Sequence, residues 1–148
     1  MSGGVYEYDA DRYAIDFGGI LIDTGFADGT FLTIDRDVED FVYYVGTDGS
    51  VVRSKTLNKV TKVSFILNQA SPINDKLSAL NIVDVQSPNG AGIVPGLIKD
   101  LNGTTLCAGA HGWISKPPKQ EFDRTAKERE WLIVFADMDI FVGSNPSL

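Results

Sequence analysis

His111 is the only histidine and Cys107 the only cysteine of the 148-residue chain, and they stand four residues apart. A thiol beside an imidazole is a nucleophile with its base. In an extended strand, however, four residues at ~3.3 Å each put the two Cα atoms about 13 Å apart, beyond hydrogen-bond reach. His111 therefore reads as a surface or interface residue. Asp35, Asp37, Glu39 and Asp40 offer the oxygen ligands that a hard cation takes, but they lack the Asp-x-Asp-x-Asp-Gly spacing and its turn glycine. They read as solvated charges at a strand junction. Asp137 and Asp139 share a strand face two residues apart, as paired glycosidase carboxylates do. They read instead as acids that keep a face in solvent or lend negative charge to a lumen. No glycine-rich loop opens a helix after a strand, as a nucleotide phosphate site needs. The aromatic residues are not interleaved with basic ones, as a platform for single-stranded nucleic acid would be. The pattern predicts no catalytic residue, no metal site and no cofactor.

The totals bound the class of protein. A net charge of −7 and a pI near 4.5 exclude a surface built to neutralise phosphates. Hydrophobic residues at 43% and charged residues at 22% exclude disorder and predict one globular domain over residues 1–148. A lone cysteine rules out an internal disulfide and fits a reducing cytoplasm. The N-terminus shows no signal-peptide pattern, and no apolar run approaches the ~20 residues of a membrane-spanning helix.

The elements that must position these residues are mostly short strands. Residues 1–13 read as an N-terminal arm. Ile15 to Asp23 reads as a strand with a bulge or close backbone approach at Gly18-Gly19, followed by a turn-rich stretch to Gly29 and a strand from Thr30 to Arg36. Phe41 to Leu57 reads as a hairpin with Asp48-Gly49 in the turn, placing Val45 opposite Val52 and Tyr44 opposite Arg53. It is apolar on both sides and must be covered twice or pair outside its own subunit. Val60 to Leu67 is a strand with Val63, Phe65 and Leu67 on one face. Ser71-Pro72 starts the one convincing helix, about three turns long, with Ile73, Leu77 and Leu80 on its apolar stripe.

Asn102-Gly103 is the strongest hairpin signal, because a type I′ turn needs positive φ at both central residues. It would pair Leu101 with Thr104, Lys99 with Leu106 and Ile98 with Cys107, in a hairpin whose second arm runs to Lys116 and stops at Pro117-Pro118. That arm is overlong and needs further partners. Lys119 to Arg129 is a charged loop. In the last strand, Trp131 to Val142, the even positions are all apolar and are expected to face the core. Trp131, Ile133 and Phe135 then form an outer apolar face, of the kind that marks a contact site. The fold class is all-β: an antiparallel β-sandwich or barrel of eight or so strands with one α-helix.

Several segments together resemble a family of bacteriophage structural proteins that form the inner tube of contractile tails. They are Gly25–Phe31, Val45–Ser54, Leu67–Leu80, Leu97–Gly103, Trp113–Pro118 and Arg129 through Gly143. Each is weak alone; their order and number carry the resemblance, which covers about residues 14–145. It implies a tail-tube β-sandwich with a flanking helix, and homo-hexameric rings stacked into a tube whose subunits share one inner barrel. It also implies a contractile sheath around the tube, baseplate and tail terminator proteins as partners, and genomic DNA only in transit. The place of work would be the virion, after synthesis in the host cytoplasm. An inward-facing negative charge would repel the passing DNA. Either terminus, the arm or the tail 143–148, could make ring-to-ring contacts. The expected intersubunit contacts are Tyr43, Tyr44, Val52 and Arg53 on the hairpin, with Trp131, Ile133 and Phe135 on the outer face. Asp137 and Asp139 are the candidate lumen or solvent acids. Two other assignments stay open. One is a different tube-fold tail or secretion-needle component. The other, from a different class, is a small β-barrel enzyme or carbohydrate-binding module with Trp113 or Trp131 as its stacking platform.

Overall fold

The computed structural model describes residues 4–147; the first three residues of the expected arm and the last of the expected tail lie outside the described residues. Ten strands and one helix follow in order: β1 (Tyr13–Phe17), β2 (Ile20–Ile22), β3 (Leu32–Arg36), β4 (Phe41–Val45), β5 (Val51–Lys55), β6 (Thr61–Asn68), α1 (Ile73–Gln86), β7 (Val94–Asp100), β8 (Leu106–Lys116), β9 (Glu128–Phe135) and β10 (Met138–Phe141). Eight strands make one antiparallel sheet in the order β2-β1-β7-β8-β9-β6-β3, with β10 continuing along β8. β4 and β5 stand apart as a separate two-stranded sheet. This is the all-β fold with one helix that the strand patterning predicts.

Buried side chains from β1, β2, β6, β7, β8, β9, β10 and α1 all belong to one hydrophobic cluster, with Leu32 and Ile34 of β3 packed against it. Tyr13 of β1 packs on Phe31, next to β3, with ring centroids 5.9 Å apart although four strands separate β1 from β3 in the sheet, so the sheet curls around the cluster. The helix covers the opening. Ile73 and Leu77 are its buried residues and Leu80 is partly so, the stripe expected from their spacing. The Ser71 hydroxyl accepts from the Ile73 N–H at 3.3 Å, and the helix runs to 14 residues, longer than expected. Asn74 locks it to the sheet, since its Oδ1 accepts from Trp131 Nε1 at 2.9 Å.

The last strand corrects the expected facing. Trp131 is 2%, Ile133 0% and Phe135 1% exposed, so these three residues are core and form no outer face. The cause is a shared bend. β8 pairs with β9 at Gly112↔Phe135 and with β10 at Gly109↔Met138. Between those pairs, Ala110, His111, Ala136 and Asp137 are all exposed. Both strands thus turn two consecutive residues outward at the same level. Before the bend the odd positions of β9 face in; after it Met138 does. Strict two-residue alternation cannot see such a switch.

On the β7 and β8 side of Phe135, three positions carry no side chain. A Cβ built on Gly96, Gly109 or Gly112 would run into the Phe135 ring in every case. Phe17 meets the same ring edge-on, with centroids 6.1 Å apart at 90°. The three glycines are there for close approach, as glycines inside strands often are.

Two turns exchange their expected roles. Gly18 and Gly19 both have positive φ (60° and 90°) and join Phe17↔Ile20 as a two-residue hairpin turn, in place of a bulge. At Asn102-Gly103 neither residue has positive φ. Lys99↔Leu106 and Ile98↔Cys107 pair as expected, but Asp100 N–H bonds to Thr105 O, and Gly103 N–H turns back to Asp100 O at 3.2 Å. The loop is longer than two residues because Asp100 Oδ1 accepts from Asn102 N–H. The overlong arm is satisfied within the chain, with β7 on one edge and β9 and β10 on the other.

Cys107 is buried in the core, and desolvation pushes its thiol above the usual value, while His111 is exposed and faces Asp137 at 3.5 Å. A raised pKa lowers the thiolate fraction at neutral pH, so Cys107 is expected to react with a thiol reagent only on unfolding, measured as labelling kinetics with and without denaturant. Phe135→Ala is expected to cost about 3–5 kcal/mol of stability, read from denaturant unfolding. Assembly defects in that variant would follow from the lost fold.

Candidate assembly surface

All ten residues of β4 and β5 are exposed. One face carries Phe41, Tyr43, Val45, Val51, Arg53 and Lys55; the other carries Val42, Tyr44, Val52 and Ser54. Tyr43 is 75% and Tyr44 68% exposed. A solitary two-stranded hairpin is marginal in water, and each large apolar side chain left exposed forgoes roughly 1.5–3 kcal/mol of burial. The expected contact residues Tyr43, Tyr44, Val52 and Arg53 all lie here.

Their pairing differs from the expected one by a single residue. Tyr44 lies opposite Val52 and Tyr43 opposite Arg53, where a two-residue Asp48-Gly49 turn would set Tyr44 against Arg53. Gly46 N–H bonds to Ser50 O at 2.8 Å and Gly49 N–H to Gly46 O at 3.0 Å. The loop is therefore the three residues Thr47-Asp48-Gly49, closed by Gly49 at φ 86°. Asp48 Oδ1 accepts from Ser50 N–H at 3.0 Å and from Ser50 Oγ at 2.6 Å. These bonds hold the Asp48 carboxyl below its usual pKa. The new pairing frees Arg53 to stack its guanidinium over the Phe41 ring at 4.1 Å.

The stem fixes the direction in which the hairpin leaves the body. Thr56 N–H bonds to Asp40 O at 2.7 Å and Asp37 N–H to Val60 O at 2.9 Å. Arg36, the last residue of β3, donates to Asp40 Oδ1 at 3.0 Å and to Met138 O at 2.8 Å. One guanidinium thus ties the hairpin stem to β10. Of the acidic set, Asp40 pairs with Arg36 and Asp37 with Lys62 at 3.6 Å. Among the described residues, no group of three or more His, Cys, Asp or Glu is arranged to hold a metal ion. Asp139 is exposed and faces Lys59 at 3.3 Å, and Asp137 is exposed beside His111. Both acids lie at the hairpin end of the sheet, where Lys59 bridges to Asp137. Trp131 is unavailable as a stacking platform, and Trp113 is half-buried. No described helix is long and apolar enough to cross a membrane.

Sequence reasoning missed two features. Arg36 gave no signal, because its partner Met138 is distant in sequence. The other is a row of rings at the opposite end of β3: Tyr8–Tyr13 at 6.1 Å, Tyr13–Phe31 at 5.9 Å and Phe31–Phe26 at 4.9 Å. Burial first, then the Asp100 charge, pushes the Tyr13 phenol up to about 12, so it stays neutral. The glycines at 25 and 29, both with positive φ, were the available hint that this loop has a defined shape. The segments near the two ends of the described residues meet: Tyr6 bridges Ser147 and Glu7 N–H bonds to Pro146 O at 3.0 Å.

The sequence profile of a family described as "Bacteriophage PhiTE tail tube protein" matches residues 22–143. "Structural protein ORF10" of Pseudomonas phage KPP10 is 29% identical over 122 residues, covering 82% of this chain and 70% of that protein. Three solved structures are similar in fold, each with a TM-score of 0.58. The tube-terminating cap of the anti-feeding prophage is 9% identical, with 95% of each chain covered. The sheath/tube terminator of an extracellular contractile injection system, PVC, is 13% identical, covering 93% of this chain and 99% of that one. A chain of the native gene transfer agent particle is 7% identical, covering 92% and 100%.

Arg36→Ala is expected to speed amide hydrogen exchange across residues 41–55, with protection in β6 to β9 retained. Loss of the part-buried bond from the charged donor to Met138 O is worth about 1.5–3 kcal/mol, and the exposed pair with Asp40 adds little.

Proposed function

The chain belongs to the family described as bacteriophage PhiTE tail tube protein, and on that premise we propose that it is a subunit of the inner tube of a contractile tail, forming hexameric rings that stack into a conduit for DNA ejection. The observation that carries this reading is the β4–β5 hairpin, a secondary structure with two apolar faces and no partner strand among the described residues. β2 and β3 are the lateral edges of the main sheet, and free edges pair readily with another copy. Side-by-side pairing of edges closes a ring, and the hairpin supplies the second contact. The sheath would enclose the assembled tube, with baseplate and terminator at its ends. Inward-facing acids such as Asp137 and Asp139 would keep passing phosphates from sticking.

A second reading, a terminator or cap at the end of such a tube, draws on the likeness to the two terminator structures. The two readings differ in one observable. A tube subunit polymerises into many rings of uniform bore, whereas a terminator stops at one ring. Negative-stain microscopy of the full chain is expected to show long tubes; single rings would favour the terminator, and monodisperse monomers at every concentration would sink both. Tyr43→Ser combined with Tyr44→Ser is expected to keep the wild-type circular dichroism spectrum while abolishing tubes.

A further inference from the structure

The hairpin has a counterpart on the same molecule. Between the start of β1 and the start of β3 lies a cavity of about 390 Å³ whose walls include Asp11, Asp23 and Asp28, with the rings of Phe26 and Phe31. That volume is within the range of small-ligand pockets, ~300–1,000 Å³, enough for one or two large side chains. None of the three carboxylates makes an ion pair among the described residues, and no basic residue lines the cavity. On the hairpin, Arg53 and Lys55 make no ion pair either. The charge division is built into the sequence. Residues 1–40 hold ten acidic and two basic side chains; residues 41–55 hold one acidic and two basic.

The two surfaces are also placed for a directional contact. β3 starts one residue after Phe31 of the cavity and ends on Arg36, the hairpin's anchor. They therefore lie at opposite ends of one strand, about 17 Å of extended chain. A contact between unlike surfaces at opposite poles repeats head to tail, and produces either a closed ring or an open stack. We propose that the β4–β5 hairpin of one copy seats its Arg53–Lys55 strand in the Asp11/Asp23/Asp28 cavity of the next, with its aromatic residues against Phe26 and Phe31. This rests on the self-assembly in the proposed function and names the surface that receives the hairpin. Cations over aromatic rings and beside carboxylates give such a contact both attraction and register.

Reversing one side tests it. Arg53→Glu/Lys55→Glu and Asp23→Lys/Asp28→Lys are each expected to raise the concentration needed for assembly by at least about tenfold, because juxtaposed like charges cost well over the 1.4 kcal/mol of one decade. Mixed together, the two variants should co-assemble, since each then meets an oppositely charged partner surface. Assembly is followed by light scattering and negative stain, with circular dichroism confirming that each variant is folded. If the wild type assembles and both variants do so equally well, the hairpin–cavity contact is wrong while the tube reading stands. If both variants fail and their mixture fails too, the contact is also wrong, because the loss then comes from elsewhere. If the wild type does not self-associate at any concentration, both readings fall.

Discussion

The ring of Phe135 sits where three glycines leave room for it, and much of the body depends on that arrangement. Gly96 on β7 and Gly109 and Gly112 on β8 bring backbone against an aromatic face, with Phe17 closing the fourth side edge-on. Close packing of this kind tolerates no added methyl. It also dictates the bend at His111 and Ala136. Gly109 and Gly112 both face the ring although three residues apart, so the strand must turn two residues outward between them. That bend carries Met138 into the core and sets β10 beside the hairpin stem.

From there the path to assembly is short. Met138 O, held in place by the bend, accepts from Arg36, and Arg36 holds Asp40 at the foot of the hairpin. The core thus sets the direction of a hairpin that contributes nothing to the core itself. Isolated, β4–β5 costs stability; in the proposed assembly the same exposed tyrosines and valines would be the adhesive between subunits. The densest run of exposed apolar side chains is on this arm, where Phe41 to Val45 are all exposed in a row.

The electrostatics follow the same division. Lys59, Lys62 and Arg36 answer the acids near the stem, whereas the carboxylates around Phe26 and Phe31 make no ion pair among the described residues. Unpaired charge at the rim of an aromatic cavity favours a partner of opposite sign and steers its approach.

The sequence by itself determined the strand-rich class, the helix starting at Ser71-Pro72 and the alternation of β6, because each rests on local periodicity or capping; the Lys99↔Leu106 register holds as well, though across a different turn. It also marked the hairpin as lacking partners, since apolar residues on both faces of a short hairpin are visible without coordinates. Only the tertiary structure decided the rest. The inward facing of Trp131, Ile133 and Phe135 depends on a bend shared by two strands far apart in sequence. The one-residue shift at Asp48-Gly49 depends on Gly49 alone taking positive φ, with Thr47 drawn into the loop. The anchor at Arg36 and the cavity beside Phe31 bring together residues from opposite ends of the chain, and no local pattern records which distant groups the curled sheet will make neighbours.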